Sequence, residues 1–302
     1  MDILNKIKLF LSSFYHVRKI EQRIHYAIRH DNLIEKALNS VDCGISNNYH
    51  INHEVVVSLT THGKRIFDVA ATIESIMQGS LKPNRIVLWL GEEMRGVQLP
   101  ITLLNQQKRG LEISYCKDIR SYTKLIPALR KYPDAIIITI DDDALYHYDL
   151  VEKLINEHSL YPKHIIANRI HRIELDNNGR PKKYLNWKWN YSPIDDSPLN
   201  FLTGVGGVLY PPQSLDSEVF NETVFLNICK YADDIWFYAM ALKARTKIKK
   251  CFTHSEKGED YIINDDVQDM ALHVTNVGLG GKNDEQLIAV FDKYDLWEYL
   301  KK

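Results

Sequence analysis

The stretch Ala135-Ile136-Ile137-Ile138-Thr139-Ile140 is the most apolar segment of this chain, and it runs directly into Asp141-Asp142-Asp143. A continuous β-branched run that ends abruptly in acid reads as a central strand buried on both faces, the pattern of a parallel sheet. Such a strand delivers its last residues to the carboxyl edge of the sheet, where open α/β folds bind ligands. Three adjacent carboxylates repel one another, so folding gains nothing from them unless a cation or solvent intervenes. Their oxygens suit a hard divalent ion such as Mg²⁺ or Mn²⁺.

The residues before the run alternate between strand and helix. Val55 to Leu59 and Arg85 to Leu90 read as apolar strands, and Leu111 to Tyr115 as a shorter third. Between the first two, Arg65 to Gln78 carries Ile66, Val69, Ile73 and Ile76 at helical spacing and is closed by Gly79. Leu125 to Lys131 reads as a helix, and Pro133-Asp134 turn the chain into the acidic strand. The expected fold is therefore α/β: a mostly parallel, doubly wound sheet flanked by helices, with the loops after its strands gathered along one edge. The second half is less regular. His164 to Arg172 reads as one strand, Asp176-Asn177-Asn178-Gly179 as a turn, and Asp233 to Ala244 as an amphipathic helix.

Residues 1–50 differ from the rest of the chain. Ile3, Ile7, Phe10, Leu11 and Phe14 recur at helical spacing among Lys6, Lys8, Arg18 and Lys19, and a second helical stretch covers Ile20 to Leu38. Two readings stand: a helical layer on the main domain, or a basic amphipathic surface resting on an anionic membrane. These helices could also mediate self-association. The expected organisation is an N-terminal helical extension (1–50), a catalytic domain (51–285) and a C-terminal helix (286–302). Net charge is −1, so no global field attracts nucleic acid. Four cysteines without metal spacing and no 18-residue apolar run point to a cytoplasmic protein, at most peripheral on the inner membrane face.

Several motifs have roles to assign. Asp233-Asp234 opens a helix, which suggests one cap and one carboxylate turned into a cleft; Asp234 is the candidate general base and Asp233 the fallback. His273, in Ala271-Leu272-His273-Val274-Thr275-Asn276, is the candidate metal partner of Asp143. Asp141 or Asp142 could take a ribose hydroxyl or a metal-bound water. Gly204, Gly206 and Gly207 precede a strand instead of following one, which disfavours a nicotinamide-binding fingerprint, and no GxxxxGK[ST] loop occurs. Lys64 and Arg65, then Lys117, Arg120 and Lys124, stand near strand ends where they could meet a diphosphate. Trp187-Lys188-Trp189 could stack on a sugar or pack in the core.

On these residues the chain resembles GT-A glycosyltransferases, close to the bacterial family 2-like enzymes of capsule and O-antigen polysaccharide synthesis. The resemblance spans about residues 53–285. It rests on the opening strand Val55 to Thr61, the DXD-like Asp141-Asp142-Asp143, the glycines at 204–207, Asp233-Asp234 and the late His273. It implies a GT-A (Rossmann-like) fold, a nucleotide-sugar donor, usually a UDP-sugar, and Mn²⁺ or Mg²⁺. It also implies a glycan or lipid-linked glycan acceptor. Thr60, Arg65, Lys124, Asp141, Asp142, Gly206 and Gly207 would serve the donor, Asp143 and His273 the metal. Asp234 matches the catalytic base of inverting members, although retention stays open. The second strand departs from the family by ending Leu90-Gly91-Glu92. Two rivals remain: a metal-dependent nucleotidyltransferase, and a binding module without turnover.

Overall fold

The computed structural model describes residues 3–192, 195–255, 260–263 and 282–301. Its centre is a seven-stranded sheet in the order β10-β6-β9-β4-β1-β2-β3. These strands are β1 (Val55–Thr60), β2 (Arg85–Gly91), β3 (Leu111–Cys116), β4 (Ile136–Thr139), β6 (Ile165–Ala167), β9 (Val208–Tyr210) and β10 (Ile248–Lys250). All neighbours pair in parallel except β9, which runs antiparallel to both β4 and β6. The expected α/β fold with a mostly parallel sheet is thus present.

Both faces of this sheet are covered, which explains its unbroken apolar strands. Val55, Val57 and Leu59 of β1 pack on one side with α2 (Val69–Met77), and Val56 packs on the other. Ile136 and Ile138 of β4 share the first side, and Ile137 the second, against Trp236, Phe237 and Met240 of α7 (Asp233–Lys243). The order β3-β2-β1-β4 places the reversal of connection between β1 and β4. Their carboxyl ends therefore flank the crevice in which doubly wound folds bind ligands.

Local elements differ from the expected ones in three places. The N-terminal stretch is one helix, α1 (Ile3–Asn39), not two. Its C-terminal part packs on the body through Leu33 and Ala37, whereas Val17, Ile20, Ile24 and Ile28 are 53–62% exposed. No helix among the described residues is long and apolar enough to cross a membrane. The stretch His164 to Arg172 is not one strand. It breaks at Asn168, whose buried amide donates to the Gly206 carbonyl at 3.0 Å, so that β6 stays in the main sheet. The following β7 (Ile170–Arg172) pairs with β8 (Asn200–Leu202) instead. Two polar-faced helices escaped the periodicity: α3 (Ile101–Lys108) and α5 (Leu150–Leu160). The remaining helices are α4 (Ile126–Lys131), α6 (Glu222–Ile228) and α8 (Lys282–Tyr294), and β5 (Ala144–Tyr146) pairs antiparallel with β11 (Tyr261–Ile263).

Candidate functional site

The parallel pairing of β1 and β4 continues through Ile140 N–H, which donates to the Ser58 carbonyl at 3.2 Å. The aspartates therefore emerge beside Thr60 and Thr61. Their backbone is fixed from two directions. Thr72 Oγ1 of α2 donates to the carbonyls of Asp142 (3.1 Å) and Ala144 (2.8 Å). Tyr146 Oη accepts the Asp141 N–H and donates to the Val205 carbonyl, both at 2.9 Å, which ties the acidic run to the glycine segment.

The three carboxylates have different partners. Asp142 turns inward, where Thr61 Oγ1 donates at 2.6 Å and Arg65 Nη1 at 2.8 Å. Asp141 accepts Lys124 Nζ at 2.7 Å. Asp143 meets Arg65 Nη2 at a longer 3.4 Å. Lys124 is held by its own carbonyl, which accepts Ser58 Oγ of β1 at 2.5 Å. Its ammonium, 7% exposed, also reaches Asp233 at 3.0 Å. One buried cation thereby joins the end of β4 to the start of α7.

Neither Asp233 nor Asp234 caps α7; Ala232 holds the cap position. Lys124 engages Asp233 and the backbone of the glycine segment engages Asp234 instead. Gly204 N–H donates to both oxygens of Asp234 at 3.0 Å. A Cβ on Gly204 would lie 2.8 Å from both Asp234 Oδ1 and Lys124 Nζ, so this position has room for hydrogen alone.

These groups line a cleft of about 970 Å³. Thr60, Arg65, Lys124, Asp141, Asp142, Asp143, Asp233 and Asp234 all reach it. Gly206 and Gly207 do not. Gly206 backs onto Arg169, and Gly207, at φ +91°, onto Leu150; of this segment only Val205 lines the cleft, and Gly204 touches it through its hydrogen bond to Asp234. His273 lies outside the described residues. Of the tryptophan pair, Trp187 is buried in the core, whereas Trp189 lines the cleft and stacks on His171 at 4.9 Å. Sequence reasoning overlooked Thr61, Tyr146, Arg169 and His171. Thr61 was signalled by its place at the end of β1; the others had no sequence signal of their own.

The charge balance of the cleft is strained. Four carboxylates, Asp141, Asp142, Asp143 and Asp233, lie against two cations, Arg65 and Lys124, and Asp234 is held by a backbone N–H. Burial, then Asp233, pushes Asp234 up to about 7. Burial, then Asp141 and Asp142, pushes Asp143 up to about 6. Burial also raises Asp142 against the pull of Arg65 and Thr61. Burial opposes the charge of Lys124, but Asp141, Asp233 and Asp234 outweigh it and hold the ammonium above its ordinary range. Asp142 and Asp141 contact a cation at 2.8 and 2.7 Å, against 3.4 Å from Asp143 to Arg65, and carboxylate oxygens of this run are of the type that a hard divalent ion takes.

No protein-family model matches the chain, and no curated protein matches it. Among solved structures, a mannosyltransferase from Pyrobaculum calidifontis in complex with GDP-Man and Mn²⁺ has 9% identity and a TM-score of 0.45, covering 93% of this chain and 79% of its own. A CMP:2-keto-3-deoxy-manno-octonic acid synthetase complexed with CTP has 12% identity and a TM-score of 0.40, with 65% and 88% covered. The inositol-1-phosphate CTP transferase from T. maritima has 11% identity and a TM-score of 0.40, with 77% and 100% covered. These likenesses are too loose to assign the chain to any of the three.

Proposed function

We propose that the chain is a metal-dependent glycosyltransferase of GT-A type. It would transfer a sugar from a nucleotide-sugar donor, a UDP-sugar by preference, to a hydroxyl of a glycan or lipid-linked glycan in surface polysaccharide synthesis. The observation that carries this reading is the juxtaposition of the aspartate run and the Asp233-Asp234 pair in one cleft, with Lys124 bridging Asp141 and Asp233. A donor-side run at a strand end facing a carboxylate of raised pKa is the division of labour that sugar transfer needs.

In this reading Thr60, Arg65 and the rim of the aspartate run seat the nucleotide and its diphosphate. Asp234, held by the Gly204 N–H, takes the proton of the acceptor hydroxyl. The freed oxygen attacks the anomeric carbon as the bond from that carbon to the diphosphate oxygen breaks. Attack from the face opposite the diphosphate inverts the centre. Asp143, with His273 as a further ligand, would hold the divalent ion, which supplies Lewis-acid neutralisation of the departing diphosphate. Trp189 and Tyr184, edge-on at 5.5 Å, offer an aromatic wall for a sugar face.

Product identity tests the reaction class. Incubation with nucleotide sugars and Mn²⁺ should release a nucleoside diphosphate. Release of pyrophosphate from a nucleoside triphosphate and a sugar phosphate would move the chain to the nucleotidyltransferases.

The exposed stripe Val17, Ile20, Ile24 and Ile28 on α1 supports a peripheral seat on an anionic membrane, where a lipid-linked acceptor would be met. Flotation with phosphatidylglycerol vesicles, lost on Ile24→Asp/Ile28→Asp substitution, is the expected outcome; unchanged flotation would remove the membrane from the account.

A further inference from the structure

Away from the cleft, and alone among the described residues, His147, Asp149 and His254 bring three ligating side chains within 4.8 Å of one another. Asp149 stands at the N-cap of α5, where aspartate ordinarily accepts a backbone N–H of its own helix. It makes no such cap. Its two oxygens turn instead to His147 Nδ1 at 2.6 Å and His254 Nε2 at 2.5 Å. The two imidazole rings lie with centroids 4.6 Å apart, tilted by 47°.

The segment that carries His254 is held in place independently. Asp260 accepts the N–H groups of His254 and Ser255, each at 2.9 Å, and takes Lys153 Nζ at 2.5 Å. Lys153 thus commits its charge to Asp260 and lies 4.0 Å from Asp149. A tetrahedral zinc site has ligand bonds of about 2.0–2.2 Å, which separates its ligand atoms by roughly 3.3–3.5 Å. The carboxylate lies 2.5–2.6 Å from each imidazole nitrogen and all three donors lie within 4.8 Å, so side-chain rotation alone brings them to that spacing. Two imidazoles and one carboxylate suit Zn²⁺ and its first-row neighbours, whereas Mg²⁺ and Ca²⁺ favour all-oxygen sets. His254 is 47% exposed, which leaves solvent access for the ion and for a water as fourth ligand.

We infer that His147, Asp149 and His254 form a second cation site, specific for Zn²⁺-class ions and separate from the aspartate cleft, which none of the three lines. The bound ion clips the segment after β10 to the start of α5. That segment leads through Asp260 into β11, whose Tyr261 and Ile263 line the cleft. The clip therefore steadies one wall of the cleft without taking part in its chemistry.

Chelator-stripped full-length protein is titrated with Zn²⁺ by calorimetry and with Co²⁺ by visible absorption, beside His254→Ala, His147→Ala and Asp143→Ala. The site predicts one Zn²⁺ equivalent that survives Asp143→Ala and weakens at least about tenfold in both histidine variants. It also predicts the intense visible bands of four-coordinate Co²⁺, and slower amide exchange over residues 251–255 and 260–263 on Zn²⁺ addition. The inference is overturned if both histidine variants bind Zn²⁺ like the wild type, or if the only uptake disappears with Asp143→Ala. Circular dichroism of each variant separates loss of the site from loss of the fold.

Discussion

Lys124 Nζ lies 2.7 Å from Asp141 Oδ1, and the same ammonium holds Asp233 at 3.0 Å. This buried cation links two carboxylates that the chain delivers from β4 and α7. Lys124→Met should leave both without this cation, Asp233 while almost fully buried. The expected cost is about 3 kcal/mol in urea unfolding, the scale for breaking a buried ion pair. Misplacement of the aspartate run relative to Asp233-Asp234 should lower turnover by about 100-fold. Turnover within twofold of wild type would remove Lys124 from the organisation of the site.

Asp234 sets a pH dependence whose sign can be worked out. Only the ionised carboxylate accepts a proton, and its pKa is raised from 3.8 to about 7 by burial and Asp233. The rate constant kcat/KM should therefore rise with unit slope up to about pH 7 and level off above it. The same shift acts on stability. A carboxyl raised in the fold favours the fold fully below its ordinary pKa, and this contribution is lost as pH rises through the folded value. At pH 8, Asp234→Asn should raise Tm by on the order of 2 °C while removing turnover. A pH–rate profile and calorimetry of the variant check both.

Asp142 and Asp143 should separate in their effects. Asp142→Ala strands Thr61 Oγ1 and the Arg65 guanidinium, at a cost of about 1–3 kcal/mol in chemical denaturation. Asp143→Ala removes a carboxylate that burial and two like charges already oppose, and should cost little stability. Its effect should appear in Mn²⁺ calorimetry as binding weakened by about tenfold or more. If Asp142→Ala weakened Mn²⁺ more than Asp143→Ala, the assignment of the two would reverse.

Away from the cleft, Glu74 of α2 is fully buried and receives Arg109 in a fork of 2.8 and 2.9 Å. Arg109 also donates to the Asp42 carbonyl at 2.7 Å, so the pair anchors the segment after α1. Glu74→Gln should cost about 3 kcal/mol by leaving a buried guanidinium without its counter-charge. Donor hydrolysis by the folded fraction should be unchanged, which distinguishes this loss from damage at the cleft.

The part of the fold that periodicity carries was legible. Strands β1, β2 and β4 are buried on both faces, so their apolar runs are unbroken, and the acid after β4 marks the sheet edge. Helix α3 was not legible, because its buried face includes Thr102 and Gln106 beside Leu103. The break at Asn168 was hidden for a related reason: its cause is a tertiary hydrogen bond to Gly206, and the local composition stays strand-like. In the cleft, the acidic residues were legible as types that fold against charge repulsion. Their pairing was not, since Lys124 reads from sequence as a cation near a strand end that could meet a diphosphate, and becomes a buried bridge between carboxylates only when β4 and α7 meet. The glycine segment shows the same limit: its composition marks a close approach of backbone, but only the packing of Asp234 selects Gly204 for it.

The central claim is that this cleft binds a nucleotide sugar through a metal at the aspartate run. A thermal-shift series of nucleotide sugars, each with and without Mn²⁺, on wild type and Asp143→Ala tests it most directly. At least one nucleotide sugar should raise the wild-type Tm in the presence of Mn²⁺, and Asp143→Ala should lose this shift while keeping its fold. Stabilisation that is absent for every nucleotide sugar, or that persists undiminished in Asp143→Ala, would contradict it.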